Sequence, residues 1–131
     1  MDKYTLMTPE GKIKRFIRFL NLLKDKDFRV KLFPGYNDIS FYIYGYIDAS
    51  AAADTRFYEG GLTGKASEPY TLFNLFNWYR DKYAPELLCL HGENFWLKLA
   101  EDVRRRAGSE DEAVLELVNV MIEYLSGYIE K

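Results

Sequence analysis

The chain has 131 residues, 48% hydrophobic, 29% charged and 17% aromatic, with a net charge of −2. Those values fit one domain over 1–131 with a sizeable core, and they exclude a disordered chain. One cysteine, Cys89, and one histidine, His91, exclude an internal disulfide and an ordinary structural zinc site, which needs four nitrogen or sulfur ligands.

The chain opens with a helix signature. Thr8 is a capping residue, Pro9 suits the first helical position, and Glu10 favours the positive end of the helix dipole. Ile13, Phe16, Ile17, Leu20 and Leu23 follow helical spacing, with Lys12, Lys14, Arg15 and Arg18 on the other side. The charged run KDKD at 24–27 ends this segment. In FRVKLF, 28–33, Phe28, Val30 and Leu32 alternate with Arg29 and Lys31, the pattern of a half-buried strand. PGYND forms a turn, and ISFYIYGYID, 39–48, alternates again, so an antiparallel hairpin is expected. Ile39, Phe41, Ile43 and Ile47 would share one face. Tyr42, Tyr44 and Tyr46 would share the other, beside Arg29 and Lys31.

Residues 49–54, ASAAAD, suit a loop or one helical turn, and TRFYE at 55–59 suits a short third strand. GGLTGKASEP at 60–69 reads as a connection rich in glycine. Residues 70–83 are apolar on most sides, as in a buried helix. Pro85 restarts the chain and Gly92 breaks it. A helix then spans 93–108, with Gly108 as its C-terminal cap and Arg104, Arg105 and Arg106 at its negative end. The last helix opens on Ser109 and Glu112, a capping box. Val114, Leu117, Val118, Met121 and Leu125 form its apolar stripe, and Glu112, Glu116 and Glu123 lie opposite. The expected fold is α+β: an N-terminal helix, a small antiparallel sheet of two or three strands, then three helices.

No catalytic motif emerges. GGLTGKAS, 60–67, is one residue too short for a phosphate-binding loop, and Ala66 stands where a hydroxyl must reach magnesium. Cys89 and His91 are two residues apart, and such side chains diverge on a helix, so a thiol–imidazole dyad is not expected. Neighbouring carboxylates such as Glu101 and Asp102 diverge in the same way. No cofactor and no metal are expected.

Two surfaces remain as partner sites. The tyrosine face, Tyr42, Tyr44 and Tyr46 with Arg29 and Lys31, would suit a protein interface or stacked single-stranded bases, unless a helix covers it. The acidic helix, Glu112, Glu116 and Glu123, would dock on a basic surface, such as the nucleic-acid groove of another protein, or would simply be solvated. Charge is uneven along the chain. Residues 1–35 hold nine Lys/Arg against four Asp/Glu, and residues 36–131 hold nine against sixteen. Complementation of the two ends within the fold is the expected meaning. A protein partner is expected ahead of nucleic acid. The lone thiol suits a cytoplasmic compartment. No apolar run of bilayer length and no apolar leader in MDKYTLMTPEGK point to a membrane or to secretion.

At KDKDFRVKL, 24–32, the sequence resembles part of a small phage anti-CRISPR family that inhibits Cas9. The resemblance implies an amphipathic helix, a VKL strand, further antiparallel strands and then acidic helices. It also implies an inhibitor that uses acidic side chains as a DNA substitute at the nuclease site for the duplex PAM. It covers about a quarter of the chain, made of ordinary residues, and it places no contact residue on a numbered position. The expected function is therefore a non-enzymatic protein-binding module that inhibits a nucleic-acid-handling enzyme. Alternatives are a binder of single-stranded nucleic acid and a small enzyme without a local motif.

Overall fold

The computed structural model describes residues 9–59 and 72–129. Six helices occupy them: α1 (Pro9–Leu22), α2 (Lys26–Leu32), α3 (Tyr36–Glu59), α4 (Leu72–Tyr83), α5 (Phe95–Arg106) and α6 (Glu110–Ile129). Among the described residues there is no strand, so the α+β expectation with its antiparallel sheet is overturned. Thr8 and the glycine-rich connection at 60–69 lie outside the described residues.

The hairpin fails for a reason that its own residues show. Ile39, Ile43 and Ile47 stand four apart, a spacing that keeps side chains on one face of a strand and also on one face of a helix. All three are fully buried. Phe41 and Gly45 belong with them only in a strand, and both are exposed. Tyr36 and Ser40 belong with them only in a helix, and both are buried. The alanines that follow are the best helix formers, and α3 runs through them to Glu59 without a third strand. The same test decides 28–33. Val30 and Leu32, expected inside, are about half exposed, and Arg29, expected outside, is buried. Asp25 starts this short helix, its carboxylate accepting the Phe28 N–H at 3.2 Å.

The remaining helices follow the sequence closely. Asn94 caps α5 by accepting the Leu97 N–H at 3.0 Å. Gly92, at φ 89°, makes the turn before it, in a conformation that side chains with a Cβ avoid. Ala107, not Gly108, is the C-cap of α5, in extended backbone. The Ser109 hydroxyl accepts the Glu112 N–H at 3.1 Å, and Glu112 reaches back to the Gly108 N–H at 2.9 Å. The capping box therefore forms, shifted by one residue on its return bond.

Helix α6 is the centre of the bundle and packs against α1, α3, α4 and α5. Its expected stripe is buried, and so are Ala113, Val120 and Tyr124, which lets it serve several neighbours at once. Helices α3 and α5 run antiparallel, pinned at three levels. The Tyr36 hydroxyl donates to the Ala100 carbonyl at 2.6 Å, the Trp96 indole N–H to Ser40 Oγ at 2.9 Å, and the Asn94 amide to the Tyr44 hydroxyl at 3.3 Å. That pairing sets the walls of the groove described below.

Candidate functional site

The residues of the expected tyrosine face do not all share one face. Tyr42 and Tyr46 turn toward α1. Tyr46 stacks on Phe16 with ring centres 3.8 Å apart, and Tyr42 lies 5.4 Å from Phe19. Tyr44 points to the other flank, toward Asn94. Lys31 is exposed on α2. Arg29 turns inward, donating to the Leu23 and Lys24 carbonyls at 3.3 and 3.4 Å and to Asp111 Oδ1 at 2.9 Å. A row of tyrosines flanked by cations, which base stacking needs, is not formed.

The acidic residues of α6 are also largely engaged. Glu112 closes the helix cap. Glu123 accepts bonds from Lys82 and from the Tyr83 hydroxyl, which hold its carboxyl below the usual carboxylate range. Asp111, absent from the expected set, takes Lys26 and Arg29 and is lowered by those two hydrogen bonds. Thus the basic N-terminal part is tied to the acidic C-terminal part, as the charge split predicts. Glu116 is exposed, and among the described residues it carries no ion pair.

A cleft of about 380 Å³ lies between the ends of α4, α5 and α6, lined by Tyr79, Tyr83, Val103, Arg106, Glu112 and Glu116. Beneath it is a buried polar knot. Asp102, its side chain 1% exposed, accepts the Tyr79 hydroxyl at 2.6 Å, Arg106 Nε at 2.9 Å and a bond from Arg105. Burial pushes the Asp102 carboxyl up, but the Tyr79 and Arg105 hydrogen bonds and the two guanidinium charges outweigh it, so it sits below its ordinary value. Burial, then the Asp102 hydrogen bond, push Tyr79 well above the ordinary phenol range. The bond to Glu123, with burial second, pushes Tyr83 up to about 12. Arg106 also donates to the Tyr83 carbonyl and to Glu86, both at 2.9 Å. Each of these shifts fixes a group in its ordinary charge state. A general acid or base needs the opposite, a value moved toward neutrality.

His91 is exposed and Cys89 directs its thiol to the Glu93 carbonyl at 3.5 Å, so the structure records no contact between them. Among the described residues no three His, Cys, Asp or Glu side chains are placed to hold a metal, and no helix is long and apolar enough to cross a membrane.

The second concavity differs. A groove of about 310 Å³ runs between α3 and α5, its lining including Ser40, Phe41, Leu97, Glu101, Arg104 and Arg105. Phe41 is 61% exposed on one wall and Leu97 41% exposed on the other. Arg104 is exposed and, among the described residues, has no ion pair. The sequence signal was present in Phe41, an aromatic that no helical stripe absorbs. It was hidden because the strand pattern assigned that residue to the core.

Comparison with family models, with curated proteins and with solved structures finds no match for this chain.

Proposed function

We propose that the chain is a protein-binding module without chemistry of its own, and that it meets its partner through the groove between α3 and α5. One observation carries this reading: Phe41 and Leu97, both substantially exposed, face the same groove beside Arg104, which has no ion pair among the described residues. Exposed aromatic and aliphatic anchors with an adjacent arginine have the composition of interface hot spots. The hydrogen bonds from Tyr36 and Trp96 that join α3 to α5 add to the argument, because a preformed wall loses little freedom on binding.

Inhibition of a nucleic-acid enzyme is a narrower form of this reading. Residues 24–32 lend it no structural support, since the VKL strand on which the resemblance depends is helix α2 here. The partner is therefore kept at the level of a protein.

The test is site-directed photo-crosslinking in the cell of origin, with the photoreactive residue at Phe41, at Arg18 on α1 and at Glu116 on α6. A discrete product from Phe41, absent from Arg18, is expected. Products from Glu116 alone would move the contact to the acidic helix and overturn the choice of groove.

A further inference from the structure

The chemistry of the groove also restricts what fits in it. Resting on the groove as a protein contact, we infer that its occupant is an amphipathic helix of the partner, with apolar side chains along one face and carboxylates at one end.

The backbone argument selects a helix. Both walls are helices, whose N–H and C=O groups are already paired internally, so the groove offers no sheet edge to an extended peptide. A helical ligand satisfies its own backbone and needs only side-chain contact. The space between two antiparallel helices is also where a third helix packs in a bundle. Phe41 and Leu97 on opposing walls then supply the apolar contact for residues recurring along one face of that helix.

The charge argument selects the acid. Arg104 has no ion pair among the described residues. Arg105 is paired, among the described residues, with Asp102, which is 1% exposed and offsets much of its charge. Most donors of the Arg105 guanidinium, 70% exposed, remain available. Glu101 carries the opposite sign on the same lip, one turn earlier on α5. It therefore disfavours a carboxylate there and leaves one place for the anionic end: over Arg104, at the C-terminal end of α5. A lysine-bearing helix would meet Arg104 at that end and be disfavoured.

The experiment titrates the isotope-labelled full chain with two synthetic helical peptides. Both carry leucines along one face. One ends in glutamates and the other in lysines. The acidic peptide should shift the amide signals of α3 and α5, and its affinity should fall as salt is added. Arg104→Glu should weaken it by about tenfold or more, the scale of a desolvated charge contact, and should raise the affinity of the lysine peptide. Arg104→Ala gives a variant with no new charge, and it should weaken the acidic peptide while leaving the melting temperature unchanged. Equal binding of both peptides to the wild type would overturn the acidic partner. Failure of both peptides to move the α3 and α5 signals, or binding elsewhere, would overturn the helical occupant. Crosslinking from Phe41 decides separately whether the groove is a contact at all, so the two failures are distinguishable.

Discussion

The cleft above Asp102 and the groove beside Phe41 are similar in size and share α5 as a wall, yet they are built on opposite terms. In and around the cleft most charges have a partner, and Glu116 is the lining charge without an ion pair among the described residues. Asp102 is held by Tyr79, Arg105 and Arg106, and Glu123 by Lys82 and Tyr83. In the groove, an aromatic ring, a leucine and a guanidinium face solvent without such partners among the described residues. The larger hollow is thus the structural one, where α4, α5 and α6 are fastened together. The smaller one has side chains left over from folding. Volume alone would have ranked them the other way. Partnering is the better guide, because a satisfied buried network stabilises the fold while an unsatisfied exposed set gains by binding.

The sharpest way to break this comparison is Asp102→Ala. It leaves the buried Tyr79 hydroxyl without its acceptor and takes one acceptor from Arg106, which keeps the Tyr83 carbonyl and Glu86, so a loss of about 3 kcal/mol is expected. Urea denaturation measures it, and a loss below about 1 kcal/mol would show that the knot is not what joins α4 to α5. The pH dependence follows from the same group. The folded Asp102 carboxyl lies below its unfolded value of about 4, so its contribution is complete above that pH and is lost as pH falls through the folded value. Asp102→Asn should flatten the acid side of the stability curve. On the alkaline side the sign reverses. Tyr83 is raised from 10.0 to about 12, so its contribution holds below pH 10 and fades toward pH 12. Tyr83→Phe should remove that part of the alkaline slope.

Arg29 tests the other fastening, between α2 and α6. Arg29→Ala leaves two carbonyls without their donor, takes one of the two cations from Asp111, and should cost about 2–3 kcal/mol. Lys31→Ala, two residues away and exposed, should stay within about 0.5 kcal/mol. A hairpin bearing both cations on one face would give both substitutions the same small effect. Equal losses in thermal melts would therefore return these residues to a common surface.

That pair also shows where the sequence was legible. The capping box at Ser109 and Glu112, the apolar stripe of α6, the turn at Gly92 and the helices on both sides of it were written in local chemistry. Capping and helical periodicity depend on neighbours three and four residues apart, so one sequence suffices. The error at 28–48 arose where two periods coincide. Isoleucines at 39, 43 and 47 satisfy either, and the choice between them was made by distant partners: Phe16 and Phe19 of α1 for the tyrosines, Trp96 for Ser40, Asp111 for Arg29. Tertiary packing overrides a β-propensity that is weak by itself. The polar knot at Asp102 was illegible for the same reason. Tyr79 is 23 residues from it in sequence, and nothing local joins them. The groove was illegible only by consequence, since Phe41 could be seen as left over once its segment was known to be helical.

The smallest expected effect on stability is the most informative about the groove. Phe41 and Leu97 project from well-buried helices, but their own side chains are largely outside, so the fold gains little from them. Phe41→Ala with Leu97→Ala should change stability by less than about 1 kcal/mol, partly because alanine is the better helix former at exposed positions. In a complex the same two side chains would lose their remaining contact with water, and truncating a central anchor of an interface costs about 2 kcal/mol or more. Stability and binding should therefore separate. The double variant should melt like the wild type, yet lose most of its binding to the glutamate-ended helical peptide, with Lys31→Ala on α2 as a control that lies outside the groove lining. If instead the double variant loses about 3 kcal/mol or more, these residues are core, and the groove is a seam of the fold with no free anchors to offer.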